Sequence, residues 1–222
     1  MEEVEIFKFK QCINILKASG RKAGNLRKLR DAIAEVSENS IYHHTCQYFL
    51  REHSTEYTND FARWIRETLK ENILAERLSS IDPYALKSTV EVRLEILRHI
   101  DDYLTAFPHS KQALPGDEFY FNEAITVVSP SGIEAKNLAE FLLAVRYVDV
   151  ESIYYHFYDA RLRLGEGVDD FSKWIEITSG DKTLVGRLRS IDIFMHNLES
   201  ARGMIEAIVE EAVKREMEKF IL

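Results

Sequence analysis

Two histidines stand where chemistry could happen. His44 and His156 close matching motifs, Ser40-Ile41-Tyr42-His43-His44 and Ser152-Ile153-Tyr154-Tyr155-His156. On a helix His44 shares a face with Ile41, Thr45 and Tyr48, and His156 shares one with Ile153, Phe157, Ala160 and Leu164. Imidazole can serve as a general base or a metal ligand, but a metal also needs carboxylate or thiolate help. His156 has Asp159 one turn on, whereas the first motif has Gln47 there. No Glu-x-x-His pair of the di-iron kind accompanies either. Each histidine therefore reads as a buried, neutral, hydrogen-bonded core residue, and neither a metal nor a cofactor is expected. His43 and His53 have no counterparts and read as surface residues. Cys12 and Cys46 align with Ala124 and Tyr158, so the repeat preserves no thiol chemistry. Asp60/Asp170 and Asp82/Asp192 recur as carboxylates, yet each stands at a helix start and reads as a cap. Arg77 and Arg187 lie five residues before Asp82 and Asp192, close enough in sequence to tie that loop down.

Catalytic signatures are absent. The chain has no Gly-x-Ser-x-Gly elbow, no Gly-x-x-x-x-Gly-Lys loop and no His-Glu-x-x-His, so no catalytic residue is assigned. One cluster points to binding instead. Ser19-Gly20-Arg21-Lys22, followed by Arg27, Lys28 and Arg30, reads as the first turn of a helix carrying cations at its positive end. The equivalent Ser131-Gly132-Ile133-Glu134 reads as a capping box. Cations there oppose the helix dipole unless an external anion answers them, so Ser19, Gly20, Arg21 and Lys22 form a candidate site for a phosphate or carboxylate. The opposing reading places those side chains in solvent or in ion pairs.

The elements that position these residues are written twice. At an offset of 112, Phe7-Lys8-Phe9 falls on Phe119-Tyr120-Phe121, and Asn25-Leu26 on Asn137-Leu138. At an offset of 110, Asp60-Phe61-Ala62-Arg63-Trp64-Ile65 pairs with Asp170-Phe171-Ser172-Lys173-Trp174-Ile175, and the match continues through Ile81/Ile191. The seam lies near Pro108 to Asp117, dividing the chain into residues 1–112 and 113–222. Each unit should open with a short extended piece, Phe7 to Leu16 or Phe119 to Val128. An amphipathic helix follows, with Leu26, Leu29, Ile33 and Val36, or Leu138, Phe141, Val145 and Val148, at helical spacing. Ser37 and Asp149 then cap the helix that carries the histidine. Asn25 and Asn137 read as lying inside a helix and bonding to a nearby loop. Asp82-Pro83 reads as a helix start, with long final helices over Tyr84 to Leu104 and Phe194 to Phe220. Trp64/Trp174, Phe61/Phe171, Leu78/Leu188 and Ile81/Ile191 read as core. The expected fold is mainly α: two tandem homologous helical units, each opening with a short extended segment, packed about a pseudo-twofold axis.

Composition narrows the classes. Of 222 residues 45% are hydrophobic and 30% charged, as in a soluble globular protein. No apolar run approaches a membrane span, and the acidic opening Met-Glu-Glu-Val-Glu does not resemble a secretory signal. Two cysteines make no disulfide framework, so the cytoplasm is the expected compartment. A net charge of −8, all from residues 113–222, argues against non-specific nucleic-acid binding. Three Gln beside abundant Glu and Lys suit a thermophile.

Ala18 to Ala23, Ser40 to Thr45 and Asn59 to Trp64, with Ser152 to Arg161 and Asp169 to Ile175, resemble an uncharacterised prokaryotic family of unknown function. The resemblance implies no activity, ligand or catalytic residue. The preferred reading is a non-catalytic helical protein that binds a protein partner or assembles with itself, supported by the duplication and by aromatics expected to be exposed at Tyr42, Tyr154, Tyr155 and Tyr158. The alternative is an enzyme or regulator that binds a phosphorylated or anionic small molecule through the first unit.

Overall fold

The structure is a computed structural model describing residues 5–47, 57–86, 88–109, 111–163, 167–192 and 196–221, without the side chains of 219–221. It is mainly helical, with one two-stranded antiparallel sheet, β1 (Phe7–Ala23) and β2 (Phe119–Ala135). Both strands run seven residues beyond the ends expected from their β-branched runs. In β1 only Phe7, Phe9, Cys12 and Ala23 are buried, and in β2 only Phe119, Phe121, Ala124 and Ala135. Hydrophobicity therefore marks the first half of each strand, whereas pairing alone holds the second.

The Ser-Gly pairs belong to these strands. Gly20 and Gly132 adopt φ of 75° and 78°, a conformation open to glycine because it lacks a Cβ. Ser19 Oγ donates to Phe121 O at 2.7 Å and accepts from Arg21 N at 3.1 Å. Ser131 Oγ donates to Phe9 O at 2.8 Å and accepts from Ile133 N at 3.2 Å. The helix expected after Ser19 starts instead at Leu26, and the one expected after Ser131 starts at Leu138. Their caps are the two asparagines read as lying inside the helices. Asn25 accepts from Lys28 N, and Asn137 from Glu140 N. The side-chain amide of Asn25 also donates to Gln112, in the loop that precedes β2.

Packing divides the chain into a continuous unit, residues 14–126, and a discontinuous unit, residues 1–13 with 127–222. Each strand is thus shared between units, and these boundaries differ from the seam of the sequence repeat. In the continuous unit α1 (Leu26–Glu35), α2 (Glu38–Thr45), α3 (Asp60–Trp64), a π-helical turn (Ile65–Leu69) and α4 (Asn72–Ser79) pack with α5 (Thr89–Ala106). Its core joins Leu26, Leu29, Ile33, Phe61, Trp64, Leu78 and Ile81 to Phe119 and Phe121 of β2. Phe121 is only 1% exposed; burying such a ring contributes about 1.5–3 kcal/mol. In the discontinuous unit α6 (Leu138–Tyr147), α7 (Val150–Ile153), a second π-helical turn (Tyr154–Asp159) and α8 (Ala160–Arg163) lead to α9 (Asp170–Ser179), α10 (Lys182–Arg189) and α11 (Leu198–Ile221). Phe141, Val145, Phe171, Trp174, Leu188 and Ile191 are all buried.

Two final helices start later than Asp82-Pro83 suggested. Asp82 Oδ1 accepts the amides of Tyr84 and Ala85 in a turn, and α5 begins at Thr89 on a Ser88 cap. Arg187 reaches Glu211 on α11. Ser37 caps α2 as expected, whereas Asp149 makes no side-chain cap. An arginine from each long helix closes an amphipathic helix: Arg93 donates to Val36 O at the end of α1, and Arg202 to Val145 O and Val148 O at the end of α6. A cation there answers both the orphan carbonyls and the dipole.

The first π-helical turn ends at Lys70 with φ 57°, whereas α9 ends at Gly180 with φ 62°. A side chain in this left-handed conformation costs roughly 1 kcal/mol relative to glycine. Lys70→Gly should therefore stabilise the protein, by up to about 1 kcal/mol, in guanidinium unfolding.

Candidate functional site

Each unit places its histidine against one half-strand. In the continuous unit α2 presents His44 to the first turn of α3, where Nδ1 lies 2.8 Å from Asp60 Oδ2. The other ring nitrogen, Nε2, accepts the backbone N–H of Asn122 on β2 at 3.0 Å. A backbone N–H can only donate, so Nε2 is unprotonated and Nδ1 carries the hydrogen that it gives to Asp60. Trp64, one turn along from Asp60, donates Nε1–H to Asp117 O at 2.7 Å. Phe119 and Phe121 set their rings 4.9 and 5.9 Å from the His44 ring.

The discontinuous unit makes the same set of bonds. His156 sits in the second π-helical turn, its Nδ1 2.8 Å from Asp170 Oδ2. Its Nε2 accepts Lys10 N–H at 2.8 Å, and Trp174 Nε1 donates to Glu5 O at 2.7 Å. Phe7 and Phe9 pack 4.9 and 5.9 Å from the imidazole. Arg163 adds a 2.7 Å bond to Asp170. Burial by itself would raise the Asp170 carboxyl, but the hydrogen bonds from His156 and Arg163 hold it below the ordinary aspartate value.

Both histidines are thus buried and hydrogen-bonded, as their apolar stripes imply. Asp60 and Asp170 have a role the helix-start argument missed. The residues before them, Asn59 and Asp169, do the capping, on Ala62 N and Ser172 N, which leaves the second carboxylate free to orient the ring. Two exposure readings are corrected. His43 is 4% exposed and bonds Gln47, while Tyr154, Tyr155 and Tyr158 are buried. His53, Tyr48 and Leu164 lie outside the described residues.

Ser19, Gly20, Arg21 and Lys22 lie in β1, so the free amides of a helix start do not surround them. Arg21 pairs with Glu35 at 3.0 Å and Lys22 with Glu118 at 3.1 Å. Backbone N–H bonds, and then the Lys22 contact, pull the Glu118 carboxyl down to about 2.

A cleft of about 270 Å³ opens beside the first histidine, lined by His44, Asp60, Arg63, Glu67, Glu118 and Tyr120 among others. His43, His44 and Asp60 also bring three potential ligand atoms within 4.8 Å of one another. Their bonding does not suit a metal, because His44 offers no lone pair: Nδ1–H is given to Asp60 and Nε2 accepts Asn122 N–H. For the same reason His44 cannot take a proton from a substrate without releasing the strand. Cys12 is no nucleophile either. Burial, and then the charges of Asp159 and Glu151, push its thiol up to about 12.

The histidine clamp has a pH signature. Burial holds His156 below its ordinary pKa against the opposing pull of Asp170, and Arg163 and Lys10 lower it further. A group whose folded pKa is depressed contributes fully above its unfolded pKa of about 6.5 and loses that contribution as pH falls through the folded value. Stability should therefore decline as pH falls below about 6.5, and a His156→Gln variant should show a shallower decline in denaturant unfolding.

The comparisons with known proteins agree with this architecture. A model of a family of unknown function, DUF5752, matches residues 4–210. No curated protein matches the chain. The solved structure of OrfY from the archaeon Thermoproteus tenax, a thermophile, is similar, with 32% identity and a TM-score of 0.79 over 94% of this chain and 95% of that one. The chain belongs to the DUF5752 family of unknown function.

Proposed function

We propose that this is a non-catalytic protein of two tandem homologous units that acts through protein contacts, by binding a partner or assembling with itself. The observation that carries this reading is the aliphatic surface of the strands. In the continuous unit Ile15, Leu16 and Ile125 are exposed, and in the discontinuous unit Ile13, Val127 and Val128 are. These side chains are 40–61% accessible on a sheet of only two strands. Each strand therefore has no neighbouring strand on its other edge, which, beyond the amide given to the clamp histidine, is a template for further pairing. Exposed aliphatic side chains gathered beside an open edge are a candidate contact surface.

Charge adds direction. β1 carries five cations, Lys8, Lys10, Lys17, Arg21 and Lys22, and no acid, while β2 carries Glu123 and Glu134 and no cation. A strand joining β1 should be acidic and one joining β2 basic. The clamp histidines support a non-catalytic role, because both of their nitrogens are used in holding strands. Cys12 and Cys46 are buried and form no disulfide, which suits a reducing cytoplasm. No helix among the described residues is long and apolar enough to cross a membrane. With Arg21 and Lys22 both paired to carboxylates, no observation favours the anion-binding alternative over protein contact.

Light scattering across a concentration series tests the proposal. The native chain should exceed its 25.8 kDa monomer mass or form a saturable complex with a defined partner. A doubly substituted Ile15→Lys, Leu16→Lys chain with unchanged circular dichroism should lose at least about tenfold in that affinity. A native chain that stays monomeric and partnerless, or a variant that associates equally well, would refute it.

A further inference from the structure

The continuous unit carries more polar groups than its clamp uses. The imidazole, the carboxylate, the Trp and the two Phe rings of the clamp recur at matching places in both copies of the repeat, so the fold accounts for them. The other residues around the cleft of about 270 Å³ follow a different rule. At an offset of 110 Glu67 falls on Ile177, and at 112 Glu118, Tyr120 and Asn122 fall on Ile6, Lys8 and Lys10. The discontinuous unit forms the same clamp with none of these four side chains, so the clamp does not explain their presence.

The backbone departs from the repeat at the same place. α9 continues as a regular helix to Ser179, and the Thr178 hydroxyl donates to Trp174 O, four residues back, at 2.8 Å. In the continuous unit the matching stretch is the π-helical turn Ile65–Leu69, and the half-buried Thr68 makes no such bond. Single π-helical turns recur at functional sites, where the extra width re-aims side chains. Arg63 and Glu67 stand four residues apart, a spacing that pairs opposite charges on a regular helix, yet no ion pair joins them across this turn. Arg63 instead turns one nitrogen to Asp60 Oδ1 at 3.2 Å.

Four groups at the cleft are therefore uncommitted among the described residues: the rest of the Arg63 guanidinium, the Glu67 carboxylate, the Thr68 hydroxyl and the Asn122 side-chain amide. Glu118 is not one of them, because it already holds Lys22 at 3.1 Å and Gly116 N at 2.8 Å. A guanidinium and a carboxylate held apart in one cleft suit a molecule that carries both charges. A simple anion would meet Arg63 but also Glu67 and Glu118, and a simple cation would meet Glu67 but also Arg63. A guanidinium takes a carboxylate through paired N–H donors, and a carboxylate takes an ammonium. The remaining lining offers no second free charge, only the exposed ring of Tyr120 with the neutral Thr68 and Asn122.

We propose that this cleft binds a free α-amino acid with an uncharged side chain, Arg63 holding its carboxylate and Glu67 its ammonium. This inference goes beyond the protein-contact reading and does not depend on the exposed aliphatic surface.

Calorimetric titration of the native chain with L-leucine, L-methionine and L-phenylalanine tests it. At least one should bind saturably at one site. Its N-acetyl form, which lacks the ammonium, and its decarboxylated amine, which lacks the carboxylate, should each bind at least about tenfold more weakly. These truncated ligands probe both charges with no substitution in the protein. Glu67→Gln removes an exposed charge that bonds no described residue, and should weaken the same amino acid at least about tenfold while the melting transition stays in place. The inference is overturned if none of the three amino acids binds saturably, if either truncated form binds as well as its parent, or if the Glu67→Gln chain binds as the native chain does.

Discussion

The structure depends on a hydrogen bond from a strand amide to a buried imidazole. His44 Nε2 and His156 Nε2 each accept one backbone N–H, at 3.0 and 2.8 Å. Such a bond requires the neutral tautomer with its proton on Nδ1, and a carboxylate at 2.8 Å selects that tautomer on each ring. An amide left unpaired at such a part-buried contact would cost up to about 1–3 kcal/mol. The imidazole therefore fastens a strand to a helical layer that offers no sheet to pair with. The adjacent Trp–carbonyl bond adds a second fixed point, and the Phe rings between them supply the apolar burial.

This arrangement gives the recurring histidine and aspartate a structural role. A general base needs a free lone pair directed at a substrate, and the clamp spends that lone pair on the protein's own backbone. The same economy disposes of the three-residue cluster around His43, where ligand atoms lie close together but the imidazole's coordination capacity is already used. A polar cluster in the core is in this case a device for specificity. It sets which residue of the strand meets which turn of the helix, something that apolar packing between rings and aliphatic side chains defines less sharply.

Sharing the strands between units has its own consequence. The inner half of each strand is buried and rich in aromatics, whereas the outer half is exposed and held mainly by pairing with the other strand. The Ser-Gly pairs in the outer halves tie the two strands together through a side chain, each serine hydroxyl donating to a carbonyl within the other strand's Phe-x-Phe segment.

Much of this could be read from local sequence. The repeat, the helical stripes of Leu26 to Val36 and Leu138 to Val148, and the buried Phe, Trp and His residues depend on periodicities that a few turns of chain decide. Several local readings failed where two short-range rules compete. Ser-Gly followed by charged residues fits both a helix start and a turn of backbone within a strand, and pairing with a distant strand chose the strand. Asn59-Asp60 offers two capping groups, and only the packing of α2 against α3 made the first a cap and the second a partner for histidine. The tyrosines after Ile153 look amphipathic on a regular helix, but the π-helical turn rotates them into the core. What no local pattern could reveal is the clamp itself. His156 bonds an amide 146 residues away, and a backbone N–H has no side-chain signature by which a sequence could announce it. Sequence determined which segments are helical or extended and which side chains seek the interior, because those are properties of neighbouring residues. Tertiary structure decided which strand fills which clamp, because that choice rests on backbone groups every residue possesses.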